Sequence, residues 1–146
     1  MKYCFFIFFL IIFKPILAED IYKFEFNGNF TENTVTLSDK STFSSLKSFG
    51  AFSDNQGNIG KYECNGIREA ASNGKLIDIN VLCEVTDKGL DKIWMKAKRI
   101  TDKSGGVGSY YIIDTSGKFK KLEGKTCTYA VAFFNEIIFI KAVCNK

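Results

Sequence analysis

Four of the five cysteines in this chain are placed symmetrically about two short turn candidates: Cys64 and Cys83 about Asn73-Gly74, Cys127 and Cys144 about Asn135-Glu136. An antiparallel hairpin folded at either centre sets its two sulfurs on one face, directly opposite each other. Strand register is thereby fixed twice. The first hairpin pairs Tyr62 with Val85, Cys64 with Cys83, Gly66 with Val81, Arg68 with Ile79 and Ala70 with Ile77. The second pairs Phe133 with Ile138, Val131 with Ile140, Tyr129 with Ala142 and Cys127 with Cys144. Counted outward from two-residue loops, Cys127–Cys144 falls at a close, non-hydrogen-bonded pair. Cys64–Cys83 falls at a hydrogen-bonded one, with α-carbons about 5.5 Å apart. That is still within disulfide range, and a bulge near Gly66 would ease it. A competing reading makes Ile67 to Ser72 a helical turn.

Such a framework belongs to an oxidising compartment, and the N-terminus agrees. Met1-Lys2 and the apolar run Tyr3 to Phe13 read as a secretory leader, cleaved after Ala18. Residues 1–18 are then the signal peptide and 19–146 a single domain, periplasmic or secreted. Eleven apolar residues are too few to span a bilayer, and Lys14-Pro15 stops the run from lengthening, so no stable membrane span is expected after cleavage. The rival is an uncleaved anchor. Cys4 leaves with the leader, and the four remaining thiols allow three pairings, of which the hairpin symmetry selects one.

The mature chain carries 18 basic against 16 acidic residues, a formal charge of +2, too little to suggest nucleic acid. Histidine is absent, so no Ser-His-Asp or Cys-His nucleophile and none of the usual zinc sites can be built. Catalysis would have to rest on carboxylates, tyrosines, lysines or the two arginines, Arg68 and Arg99. No cofactor is implied.

Strand periodicity runs through the rest. Tyr22, Phe24 and Phe26 alternate with Lys23 and Glu25 up to Asn27-Gly28, which reads as the strand's end. Val35 and Leu37 read as a second short strand, and Ser41 to Ser48 stays open between an irregular strand and a helical turn. Asp54 to Asn58 is a turn cluster, followed by a strand from Ile59 to Ala70. Ile77, Ile79, Val81, Cys83 and Val85 then share one inward face. Strands follow from Asp91 to Ile100 and from Val107 to Asp114, a turn at Ser104-Gly105-Gly106 between them, and the Cys127–Cys144 hairpin closes the chain. Eight or nine strands at this spacing predict an all-β sandwich or closed barrel, with up-and-down order. In the last strand Ile137, Phe139 and Val143 face away from Ile138, Ile140 and Ala142. A barrel hides only one of these faces, so a terminal segment or a second subunit is expected over the other.

Two segments carry a resemblance. Phe49 to Gly66, FGAFSDNQGNIGKYECNG, and Gly105 to Val131, GGVGSYYIIDTSGKFKKLEGKTCTYAV, resemble the glycine-rich strands and turns of the allene oxide cyclase and dirigent β-barrel superfamily. Thr115-Ser116-Gly117 stands where that family usually has Gly-Thr-Gly. The resemblance implies an eight-stranded antiparallel up-and-down barrel around a side-chain-lined cavity. It carries no family catalytic residue across.

Among candidate sites, Arg68 shares a face with Tyr62 and Cys64 and would set a cation at the barrel mouth, suited to a carboxylate. The plainer reading is a strand-end arginine reaching solvent or pairing with Asp78. Trp94, Tyr110, Tyr111 and Tyr129 are candidates for an aromatic pocket holding a small hydrophobic ligand, or simply core. Gly105, Gly106 and Gly108 read as turn and bend glycines, since no helix pattern or Lys-Ser/Thr pair completes a phosphate loop. Asn29-Phe30-Thr31 has the pattern of an N-glycosylation sequon. The expected function is a non-enzymatic binding module for a small apolar or amphipathic molecule or a protein partner. The alternative is an isomerase or cyclase whose cavity steers a reactive substrate by shape.

Overall fold

The computed structural model describes residues 21–99 and 106–145; the expected leader and cleavage point, and Ser104 and Gly105 of the expected turn, lie outside these. Eight strands follow one another: β1 (Tyr22–Thr36), β2 (Thr42–Asp54), β3 (Ile59–Ala70), β4 (Leu76–Asp87), β5 (Lys92–Arg99), β6 (Gly106–Thr115), β7 (Thr126–Phe134) and β8 (Ile137–Cys144). Each pairs antiparallel with the next, and β1 also pairs with β8, so the sheet closes into an up-and-down barrel. Every second side chain therefore points into one shared core.

The disulfides form as the hairpin symmetry requires, Cys64–Cys83 and Cys127–Cys144, and all four cysteines are buried on the inner face. The β7–β8 register holds at every expected pair, with Asn135 supplying the positive φ at the turn. In β3–β4 the pairs from Tyr62–Val85 to Arg68–Ile79 hold, but Ala70 opposes Leu76 instead of Ile77. Ala71 N–H donates to the Lys75 carbonyl, enclosing a three-residue loop whose last member, Gly74, takes φ 79°. A bulge at Ile77 restores the register. This moves the bulge from Gly66 to the turn, exposes Ile77 (62%) and brings Cys64 and Cys83 to a 4.0 Å Cα separation, a close pair and not the wider one expected. Ile67 to Ala70 is strand, not helix.

β1 does not end at Asn27-Gly28 but runs on to Thr36, 15 residues in all, absorbing Val35, and Thr42 to Ser48 belongs to β2. Gly28 faces Gly50 across the two strands. A Cβ on Gly28 would strike the Phe49 carbonyl, and one on Gly50 the Asn27 carbonyl, so the pair serves close strand approach, not a turn. The lower barrel is packed with aromatic rings. Phe26 stacks on Tyr62 at 4.3 Å and stands 5.2 Å from Phe24 and 6.1 Å from both Phe52 and Tyr110.

A 3₁₀ helix, Gly117–Leu122, closes that end by inserting Phe119 and Leu122. Beside it the buried Asp87 carboxylate pairs with Lys118. Burial would raise the Asp87 pKa, but Lys118 and the Asp91 and Gly89 amides hold it below the usual carboxylate value.

Candidate functional site

The opposite end is open. There β1 pairs with β8 only as far as Asn29 but with β2 as far as Thr36, and β4 pairs with β5 only from Val81 onward. The upper parts of β1 to β4 thus form a lip that overhangs the mouth. Alternation carries the inner face up this lip to Phe30, Glu32, Ser44, Ser48 and Arg68, and polar residues replace the rings below. Ser44 is fully buried and its hydroxyl lies 2.8 Å from that of Thr34.

Beneath the lip lies a cavity of about 370 Å³. Its wall is an apolar belt of Leu46, Val81, Ala97, Val131, Ile138 and Ile140, with Cys64 of the first disulfide among them. Polar groups converge from three sides: Glu32, Ser48 and Arg68 from the lip, Arg99 from β5 and Tyr129 from β7. Arg68 Nη1 donates to Glu32 Oε1 at 3.2 Å, both side chains about one third exposed. Arg68 therefore has an acidic partner, but Glu32 and not Asp78. A pair this accessible contributes roughly 0 to 1 kcal/mol, so it can open toward a ligand at little cost.

The predicted aromatic residues divide. Tyr129 lines the cavity, and its ring lies 4.5 Å from that of Tyr110, which is buried just beneath. Tyr62 is buried against Phe26, and its hydroxyl makes no hydrogen bond at standard geometry among the described residues. Trp94 and Tyr111 do not join them. The parity that sends Ile93, Met95, Tyr110 and Ile112 inward turns both outward, so Tyr111 is half exposed and Trp94 Nε1 donates to Glu84 Oε2 at 2.7 Å. Three of the converging polar groups lie beyond the expected set, Ser48, Glu32 and Arg99, and the last two are within reach of the same parity. Glu32 is six residues from Phe26 and Arg99 six from Ile93, in phase with the buried face each time.

Burial raises the pKa of Tyr129, which Arg99 partly offsets, and that of Tyr62, which Ser48 partly offsets. Burial, reinforced by Tyr129 and Tyr62, lifts Tyr110 well above 10. Burial also lifts Tyr22, whose hydroxyl donates to Asp54 Oδ2 at 2.9 Å. At neutral pH these phenols are proton donors, not bases. A pKa higher in the folded chain adds stability that is complete below the free phenol's value near 10 and is lost as pH rises beyond it. Alkaline titration followed by circular dichroism should show stability constant from pH 7 to about 9 and falling above about 10. Each unit of difference is worth about 1.4 kcal/mol. Tyr22→Phe should lessen the fall; an unchanged slope would contradict the assignment.

No group of three or more side chains suited to a metal ion occurs among the described residues, and no helix there is long and apolar enough to cross a membrane. No family model matches the chain, and no curated protein matches it. A solved structure of an enzyme from Penicillium herquei superposes with a TM-score of 0.57 at 12% identity, over 86% of this chain and 90% of its own. This chain and that enzyme share an eight-stranded barrel fold.

Proposed function

We propose that this protein is an exported binding barrel for a small amphipathic molecule, its apolar body held by the belt and its polar or anionic head by Arg68, Arg99 and Tyr129. The observation that carries this reading is the cavity itself, closed below by stacked rings and open above. Its size, about 370 Å³, falls in the range of small-molecule sites. The two disulfides fit an oxidising compartment. They stiffen the strands that carry Cys64 and Tyr129, so little order has to be gained on binding.

Calorimetric titration with decanoate and with decanol tests it. Decanoate should bind saturably at one site and more tightly than the alcohol. Arg68→Met should weaken decanoate about tenfold, or about 1.4 kcal/mol, and leave decanol unchanged. Ala97→Phe, which fills the belt, should abolish both. Absence of binding by either compound, in a folded protein, would contradict the reading.

A second reading is supported by Tyr129 and Arg99 lining the same cavity and by the resemblance to allene oxide cyclase and dirigent barrels. A neutral phenol beside a guanidinium can polarise a carbonyl or epoxide oxygen while the walls fix the substrate's shape. Following an unsaturated epoxide to its products decides it: an unchanged product distribution would retire the cyclase reading.

A further inference from the structure

Asn29-Phe30-Thr31 is the only Asn-X-Ser/Thr triplet in the chain, and the barrel places it with both functional side chains outward. Asn29 and Thr31 are exposed on β1, while Phe30 between them turns inward to pack 5.1 Å from Phe133. The Asn29 amide makes no hydrogen bond among the described residues, so nothing in the fold accounts for it. Its neighbours are unusual for an outward polar residue. Across the sheet Asn29 faces Phe49 on β2 and Ile137 on β8, with Phe139 one pair further along beside Asn27. These are 44%, 40% and 42% exposed, an apolar strip on the solvent side of a closed barrel. Cross-strand neighbours lie about 4.5–5.5 Å apart at Cβ, within reach of the first sugar on Asn29.

We propose that Asn29 is an N-glycan acceptor and that the proximal sugars cover Phe49, Ile137 and Phe139. The strip that calls for a partner in the bare sequence is then covered by the chain's own modification. The inference rests on the export reading above, since the transfer needs a secretory lumen. There Asn29 Nδ2 bonds to the anomeric carbon of a lipid-pyrophosphate-linked oligosaccharide and loses a proton. The bond from that carbon to the pyrophosphate oxygen breaks, and lipid pyrophosphate leaves.

The full chain should be expressed in a eukaryotic host that glycosylates, and its secreted form analysed by intact mass. Expected is a single glycan step, removed by peptide-N-glycosidase, absent from Asn29→Gln and Thr31→Ala, and retained in Thr31→Ser. A protein secreted with both disulfides formed but without the step would overturn the proposal. Failure to appear in the medium tells against the native leader instead, and a foreign leader then applies the same test to Asn29. For the cover, a double-mutant cycle compares melting temperatures. The glycan should raise the melting temperature of the wild type more than that of Phe49→Ser. Equal shifts would overturn the packing, as would a dimer that persists in the glycosylated protein, which would put a second copy on the strip.

Discussion

Phe26→Ala is expected to destabilise the barrel by about 3–5 kcal/mol, the cost of deleting a fully buried ring whose neighbours cannot collapse into the space. Phe26 has no exposed surface and touches the rings of Phe24, Phe52, Tyr62 and Tyr110, so the hole is lined by groups fixed to four other strand positions. Against the 5–15 kcal/mol available to a domain, this is a large fraction. Urea unfolding should register it as a fall in midpoint with an unchanged slope. Phe139→Ala on the outer face of β8 should stay within about 0.5 kcal/mol. Equal losses at the two positions would mean that the inner and outer faces have been misassigned.

The second large effect is expected from the disulfides. Cys64→Ala/Cys83→Ala and Cys127→Ala/Cys144→Ala should each cost about 2–5 kcal/mol, because each bridge, spanning 19 and 17 residues, restricts the unfolded chain and also fills the lumen. Removing both would exhaust most of the stability. The two need not be equal in function. Cys64 lines the cavity and the Cys127–Cys144 bridge does not, so the first double variant should also weaken ligand binding beyond its effect on folding. A loss below about 1 kcal/mol for either pair would contradict the role given to it.

Much of this fold was legible because cysteine spacing and hydrophobic alternation pointed to the same registers. The β7–β8 hairpin follows from Asn135-Glu136 without adjustment. The β3–β4 hairpin deviates at one residue, Ile77, because a three-residue loop and a bulge reach the same sulfur pairing as a two-residue loop would; symmetry about a turn cannot distinguish them. Asn27-Gly28 resembles a turn locally, but its meaning depends on Gly50, 22 positions later, which only the paired sheet brings opposite.

The serine-rich stretch Ser41 to Ser48 was ambiguous for a related reason. Two of its three buried inward positions, Ser44 and Ser48, are polar and only Leu46 between them is apolar, so the apolar alternation that normally marks a strand is broken. Inward alternation in β3 and β7 brings Arg68 and Tyr129 to the cavity wall. The outward placing of Trp94 and Tyr111 is not legible locally, because both chain neighbours of each are apolar or aromatic, leaving no contrast by which to tell the faces apart.

The most direct test of the central claim, a ligand held inside the open end of the barrel, is an isotope-edited NMR titration of the disulfide-intact protein with decanoate. Saturable shifts are expected at Leu46, Val81, Ala97, Val131 and Ile140, with Trp94, Tyr111 and Phe119 unmoved. Shifts confined to the outer strand faces, or none at saturating decanoate, would contradict it.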